Sequence, residues 1–146
     1  MSCSYRLEAY RASEAFIISR APDILTSVTQ SKKSILHIGS RDIILALRDD
    51  ILRLEGCEVV STISLADGPG LFASRPFDLV LVDVEGQGRV PDAEKLCAEI
   101  RTLHPGQKVA FVCNYLVSIE STCPNDIIHA QFDPRAFIEG VGHALE

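Results

Sequence analysis

Phe77-Asp78-Leu79-Val80-Leu81-Val82-Asp83 is the stretch on which the fold turns. A strand with one wet face alternates apolar and polar residues; this one is apolar on both faces between two aspartates. Such a run belongs in the interior of a parallel sheet covered on both sides. It predicts a strand over 78–83 that ends in a carboxylate. In open parallel sheets ligand chemistry collects outside the carboxyl ends of the strands. Asp83 is therefore the first residue to question.

Working outward, the same rhythm repeats. Ser34-Ile-Leu-His-Ile38 is a short apolar run that stops at Gly39 and suits a first strand. Residues 41–55 carry Ile43, Ile44, Leu47, Ile51 and Leu54 at helical spacing and stop at Gly56, a C-terminal helix signal. Residues 57–62 read as the second strand. A helix is expected over 64–74, with a late start near Pro69 or an irregular first turn, because Gly68-Pro69-Gly70 sits inside it. Beyond Asp83, residues 93–103 read as a helix with Leu96, Cys97, Ile100 and Leu103 inward. Residues 108–113 form a fourth strand, 126–130 a weaker fifth, and 134–145 a last helix opened by Pro134. Strands alternating with helices predict an α/β three-layer sandwich around a five-stranded parallel sheet. The strand-end residues to examine are Gly39, Ser40, Asp42, Asp83, Val84, Glu85, Cys113, Asn114 and Ala130.

Composition bounds the function. The chain has 146 residues, 47% of them hydrophobic, which is enough for one domain with a real core. Asp plus Glu is 20 and Lys plus Arg is 14, a net charge of -6 with no basic block, so nucleic acid is not an expected partner. No apolar run spans a membrane, no signal-peptide pattern opens the chain, and a cytoplasmic location is expected. The five cysteines are odd in number, widely spaced and without a CxxC, so reduced thiols packing as small hydrophobes are the default. Residues 1–33 form an N-terminal extension or linker. Residues 5–20 carry a loose helical apolar set, Ala21-Pro22 interrupts it, and 26–34 is polar. Residues 34–146 form the domain.

The domain resembles the receiver domain of two-component response regulators. The matching segments are Phe77 to Asp83, His104-Pro-Gly-Gln-Lys-Val-Ala-Phe-Val-Cys113, Leu54-Glu-Gly-Cys-Glu-Val-Val60 and Phe132-Asp-Pro134. The resemblance implies a flavodoxin-like fold in which Asp83 is the phosphoacceptor candidate. It also implies an acidic pair for Mg²⁺ after the first strand, a Thr or Ser ending the fourth, and a Lys ending the fifth. A hard cation needs oxygen ligands, and phosphoryl transfer needs charge neutralised in place. Here the acidic pair falls on Gly39 and Ser40, the Thr/Ser position on Cys113 and the Lys position on Ala130; no Lys follows Lys108. Asp42 and Glu85 are the candidate substitute cation ligands. The loop after Asp83 is longer and richer in Gly than the family's usual one. The chain between Cys113 and Phe132 is shorter, so the family's fourth helix is expected to be cut to 116–122 or lost.

The expected function is a stand-alone, degenerate receiver-like signalling domain of bacterial two-component phosphorelay type. It would not be an enzyme, would have no catalytic residue and no resident metal, and would need Mg²⁺ only if Asp83 is phosphorylated. No attached output domain is expected. The resemblance implies a sensor kinase, phosphotransfer protein or output protein as partner, with self-association open. Two alternatives stand beside it: a working phosphoacceptor with a non-standard cation site, and a small flavodoxin-like enzyme or ligand-binding protein. Gly39-Ser40 and Gly86-Gln-Gly88 match neither nucleotide-loop pattern and read as turn glycines. His37 reads as a core or edge histidine. The remaining histidines lack metal-ligand spacing. A Cys113 nucleophile would need His37 or His129 beside it, and a redox role for Cys113 would need a lowered pKa.

Overall fold

The structure is a computed structural model that describes residues 31–114, 116–120, 122–130 and 133–146. The helical set over 5–20 and most of the polar linker lie outside the described residues, as does Phe132. Five strands form one parallel sheet: β1 Ser34–Ile38, β2 Glu58–Thr62, β3 Leu79–Val84, β4 Val109–Cys113 and β5 Asp126–His129. Their order is β2-β1-β3-β4-β5, and every neighbouring pair is parallel. The order reverses at β1 and β3, which makes the carboxyl ends of these two strands the place where ligands meet the sheet.

Among the described residues four α-helices cover it: α1 Asp42–Leu54, α2 Gly68–Ser74, α3 Val90–Leu103 and α4 Pro134–Ala144. The expected three-layer α/β sandwich is the architecture found. One core lies between the sheet and α2 and α3, with Val80, Val82, Phe111, Leu96 and Ile100 at its centre. The other lies between the sheet and α1 and α4, with Ile35, Leu79, Leu81, Leu52, Phe137 and Val141. β3 is buried at all six positions and feeds both cores by strict alternation. Burying each such Val or Leu is worth about 1.5–3 kcal/mol.

Local signals acted largely as the sequence predicts. Gly56 closes α1 with φ of 90°, a left-handed conformation that a side chain disfavours. A 3₁₀ turn over Leu65–Asp67 supplies the irregular start of α2. Asp133 caps α4, its carboxylate accepting from the Arg135 and Ala136 amides.

Three features differ from expectation. α3 begins at Val90, not 93, because a 3₁₀ turn over Gln87–Arg89 leads into it and Pro91 fits a helical first turn. β3 runs one residue further, to Val84. Asp83 pairs with Val112 and Val84 with Cys113, so Asp83 stands inside the strand and not at its tip. In α1 the periodic residues Ile43, Leu47 and Leu54 face outward, while Leu45, Arg48, Asp49 and Leu52 face the sheet. Among the described residues no helix lies between β4 and β5, where the sequence leaves a helix over 116–122 or none.

The α4–β5 contact leaves no room at Gly140. A Cβ there would sit 2.5 Å from Cγ2 and 3.0 Å from Cγ1 of Ile128, a β-branched side chain with little freedom to move. Alanine would gain about 1 kcal/mol in helix propensity, but overpacking costs about 1–3 kcal/mol. Gly140→Ala is therefore expected to lower the urea midpoint at an unchanged slope. An equal or higher midpoint would show that the two elements are not in such close contact.

Candidate functional site

His37 is the centre of the site. It lies in the middle of β1, on the same face as Ile35, and is wholly buried. Its Nδ1 is 2.7 Å from Asp49 Oδ1 on α1, and its Nε2 is 2.9 Å from Asp83 Oδ1 on β3. Carboxylate oxygens only accept, so both ring nitrogens must donate, which requires the imidazolium. Burial works against that charge and is the largest single influence. The charge of Asp83, the hydrogen bonds from Asp49 and Asp83 and the charge of Asp49 together outweigh it, raising the pKa from 6.5 to about 9.

Arg48 adds a second cation. Its Nη1 lies 3.0 Å from Asp83 Oδ1 and 3.5 Å from Glu85 Oε1, and its guanidinium stands 5.5 Å from the centre of the Phe137 ring. The contact with Asp83 is ionic, since Nη1 is not aimed along a hydrogen-bond direction. The result is a buried chain, Asp49–His37–Asp83–Arg48, with Glu85 at its outer end. Asp83 itself is 2% exposed, so its carboxylate is closed off from solvent. One of its oxygens, Oδ1, takes both cations. The other, Oδ2, is buried and has no hydrogen-bond partner among the described residues, and the same holds for the Ser40 hydroxyl.

The other sequence-predicted positions fall around this chain. Gly39 lies against Asp83: a Cβ on it would be 3.3 Å from Asp83 Oδ2, but 2.7 Å from Leu45 Cδ1 and 3.1 Å from Leu45 Cβ. Leu45 thus fills the space that an acidic side chain would enter. Asp42 is exposed at the start of α1. Glu85 is paired with Arg48. Ala130 is buried, and its amide donates to the Cys113 carbonyl at 3.2 Å. A cleft of about 50 Å³ opens beside the chain, lined by Ile44, Arg48, Glu85, Val112, Cys113 and Asn114. The turn after β3 and the stretch after β4 are tied to each other, where the Gln87 side chain donates to the Ser118 carbonyl at 2.8 Å and accepts from the Ser118 amide at 2.9 Å.

The residues present do not fit a Mg²⁺ ion. A hard cation wants several oxygens, whereas Asp83 meets two cations, Glu85 is shared with one of them, and Gly39 and Ser40 bring no carboxylate. Among the described residues no group of three His, Cys, Asp or Glu side chains is placed to hold a metal. A thiol nucleophile finds a neighbour but not a base. Cys113 Sγ is 3.5 Å from His129 Nδ1, yet that nitrogen is also 3.4 Å from the Asn114 carbonyl, which can only accept from it. Burial pushes the Cys113 thiol up, against a smaller opposing influence from Arg48. Burial, together with a His129 Nδ1 that donates to the Asn114 carbonyl and so cannot take the proton, leaves Cys113 a poor nucleophile.

Sequence reasoning missed Arg48 and Asp49 and left His37 as a core or edge histidine without its role; it lies in the core. The available signal was the face defined by Leu45, Arg48, Asp49 and Leu52: adjacent opposite charges on a helix stripe, facing a strand that carries a histidine.

No family model matches the chain, and no curated protein matches it in sequence. Solved structures do. A CheY-like response regulator receiver domain protein from Methanospirillum hungatei is 27% identical, with a TM-score of 0.67 over 79% of this chain and 94% of that one. NtrX from Brucella abortus is 25% identical at a TM-score of 0.67; the match covers 79% of this chain but 27% of NtrX. The response regulator TrrA from Thermotoga maritima, solved with Mg²⁺ and BeF, is 23% identical at a TM-score of 0.66, over 77% of this chain and 98% of that one. The fold is that of the response regulator receiver domains.

The buried imidazolium makes stability depend on pH. The folded pKa is raised, so the contribution is complete below the unfolded value of about 6.5 and is lost as pH rises through about 9. Urea unfolding across pH 6 to 9.5 is expected to show a decline on the order of 3 kcal/mol. His37→Gln removes the decline and is less stable at pH 6, because Asp49 and Asp83 then lose their shared cation. A flat wild-type profile in that window would show that His37 is neutral.

Proposed function

We propose that this domain is a degenerate receiver that signals by protein–protein contact, with weak or no phosphorylation at Asp83. The observation that carries this reading is the state of the Asp83 carboxylate. It is buried, and one oxygen is held by His37 at 2.9 Å and approached by Arg48 at 3.0 Å. Phosphorylation would require that group to leave two cations and meet a phosphoryl donor without the oxygen-rich metal site that neutralises the transferring charge. The fold it shares with receiver domains supports a signalling role, with a sensor kinase, phosphotransfer protein or output protein as partner in the cytoplasm. On this reading it is not an enzyme and holds no cofactor.

A second reading has one specific observation in its favour. Asp83 Oδ2 has no hydrogen-bond partner among the described residues, and Arg48 brings from α1 a positive charge like the one that receiver domains take from a fifth-strand lysine. Asp83 would then be a working phosphoacceptor with an unusual cation arrangement, Asp42 and Glu85 being its candidate ligands.

Acetyl phosphate or beryllofluoride with Mg²⁺ separates the two. Intact mass of the full chain is expected to show no phosphoryl adduct, and beryllofluoride no change in thermal midpoint. An adduct that Asp83→Asn abolishes would establish the second reading and end the first.

A further inference from the structure

Away from Asp83, two cysteines from different segments meet. Cys97 lies on α3 and is fully buried; Cys123, half-buried, lies in the irregular stretch between β4 and β5. The Cys123 thiol donates toward Cys97 Sγ at 2.7 Å across 26 residues of sequence. That is closer than ordinary contact between two sulfur atoms. A disulfide bond has an S–S distance of about 2.05 Å, so the gap to close is about 0.7 Å, within reach of small side-chain rotations.

We propose that Cys97 and Cys123 form a reversible intramolecular disulfide, a peroxide-responsive modification site. Cys123 is the sulfur an oxidant reaches first. Its thiolate attacks the peroxide O–O bond, giving a sulfenic acid at Cys123 and releasing one oxygen as water. Cys97 sulfur then attacks the Cys123 sulfur. The S–S bond forms, the S–O bond breaks, and the oxygen leaves with the Cys97 proton as a second water. Two thiols and hydrogen peroxide become one disulfide and two waters, and an external dithiol reverses the change.

The surroundings suit this order of events. Burial, foremost, and the closeness of the second sulfur of Cys123 push the Cys97 thiol up to about 12, with Arg101 pulling the other way. Cys97 therefore rests protonated and is not the thiol that meets the peroxide; its attack on Cys123 rests on the 2.7 Å contact between the two sulfurs and requires it to give up its proton as the S–S bond forms. Arg101 is itself fixed to the Cys123 segment, its Nη2 donating to Asn125 Oδ1 at 2.6 Å, and the same Asn125 oxygen accepts from the Val109 amide at 2.9 Å. The two sulfurs are thus held in register by bonds on both sides. Oxidation would staple the segment that stands in place of a helix to α3, the helix that follows the Asp83 loop.

The test uses the full chain and hydrogen peroxide. Intact mass is expected to fall by two hydrogens and to recover with dithiothreitol. A non-reduced tryptic digest should join peptide 96–101 to peptide 109–135. Because the latter also contains Cys113, the linkage is expected to persist in Cys113→Ser and to vanish in Cys123→Ser. Cys97→Ala serves as a second control, and fragmentation of the wild-type linked peptides reads the pairing even if that variant folds poorly. Linkage through Cys113 or Cys3, oxygen added at Cys123 without loss of two hydrogens, or no change under peroxide that oxidises glutathione would each overturn the proposal.

Discussion

A charged histidine inside a sheet constrains everything around it. Removing an imidazolium from water is costly, and the cost is tolerated only where carboxylates meet both ring nitrogens. One partner, Asp83, comes from the neighbouring strand at no topological expense. The other, Asp49, must come from the helix above, which fixes the rotation of α1 about its axis. Arg48, about 100° from Asp49 around the helix axis, falls with Leu45 and Leu52 on the buried side of α1 and balances the charge of Asp83. The same rotation sends Ile43 and Leu47 outward, 82% and 55% exposed. The polar chain below and the apolar ridge above are two sides of one choice.

Most of the fold was legible because its signals are local or nearly so. The apolar run of β3, Gly56 at the end of α1 and Pro134 at the start of α4 each act over a few residues, and each element appears where its pattern puts it. The facing of α1 was not legible from hydrophobicity, since the periodic apolar set and the buried set differ by a fraction of a turn. Electrostatic pairing across 12 and 46 residues decided between them. Asp83 stood out because a strand ending in a carboxylate is a local feature. Its burial did not, because that depends on β4 extending the pairing to Cys113 and on cations contributed by other elements.

Two loops are joined through one side chain. Gln87 bonds both backbone groups of Ser118, which links the turn after β3 to the stretch after β4. Where receiver domains carry a helix on this side, the chain here keeps its path by side-chain bonds to backbone and by Asn125. A binding surface made this way is shaped by single polar contacts, each worth about 1 kcal/mol, in place of a packed helix face.

Gly39 and Leu45 together determine how the domain can change. Placing an acid at position 39 while Leu45 remains forces an overpacked contact. Trimming Leu45 first opens a void in the layer between α1 and the sheet. Either order passes through a less stable protein, by about 1–3 kcal/mol for overpacking and about 2–5 kcal/mol for the cavity. Against a total stability of about 5–15 kcal/mol, that intermediate is a real barrier to any single-step variant. A metal-binding version of this domain is therefore separated from the present one by a valley, and the valley is made of packing rather than of missing ligands.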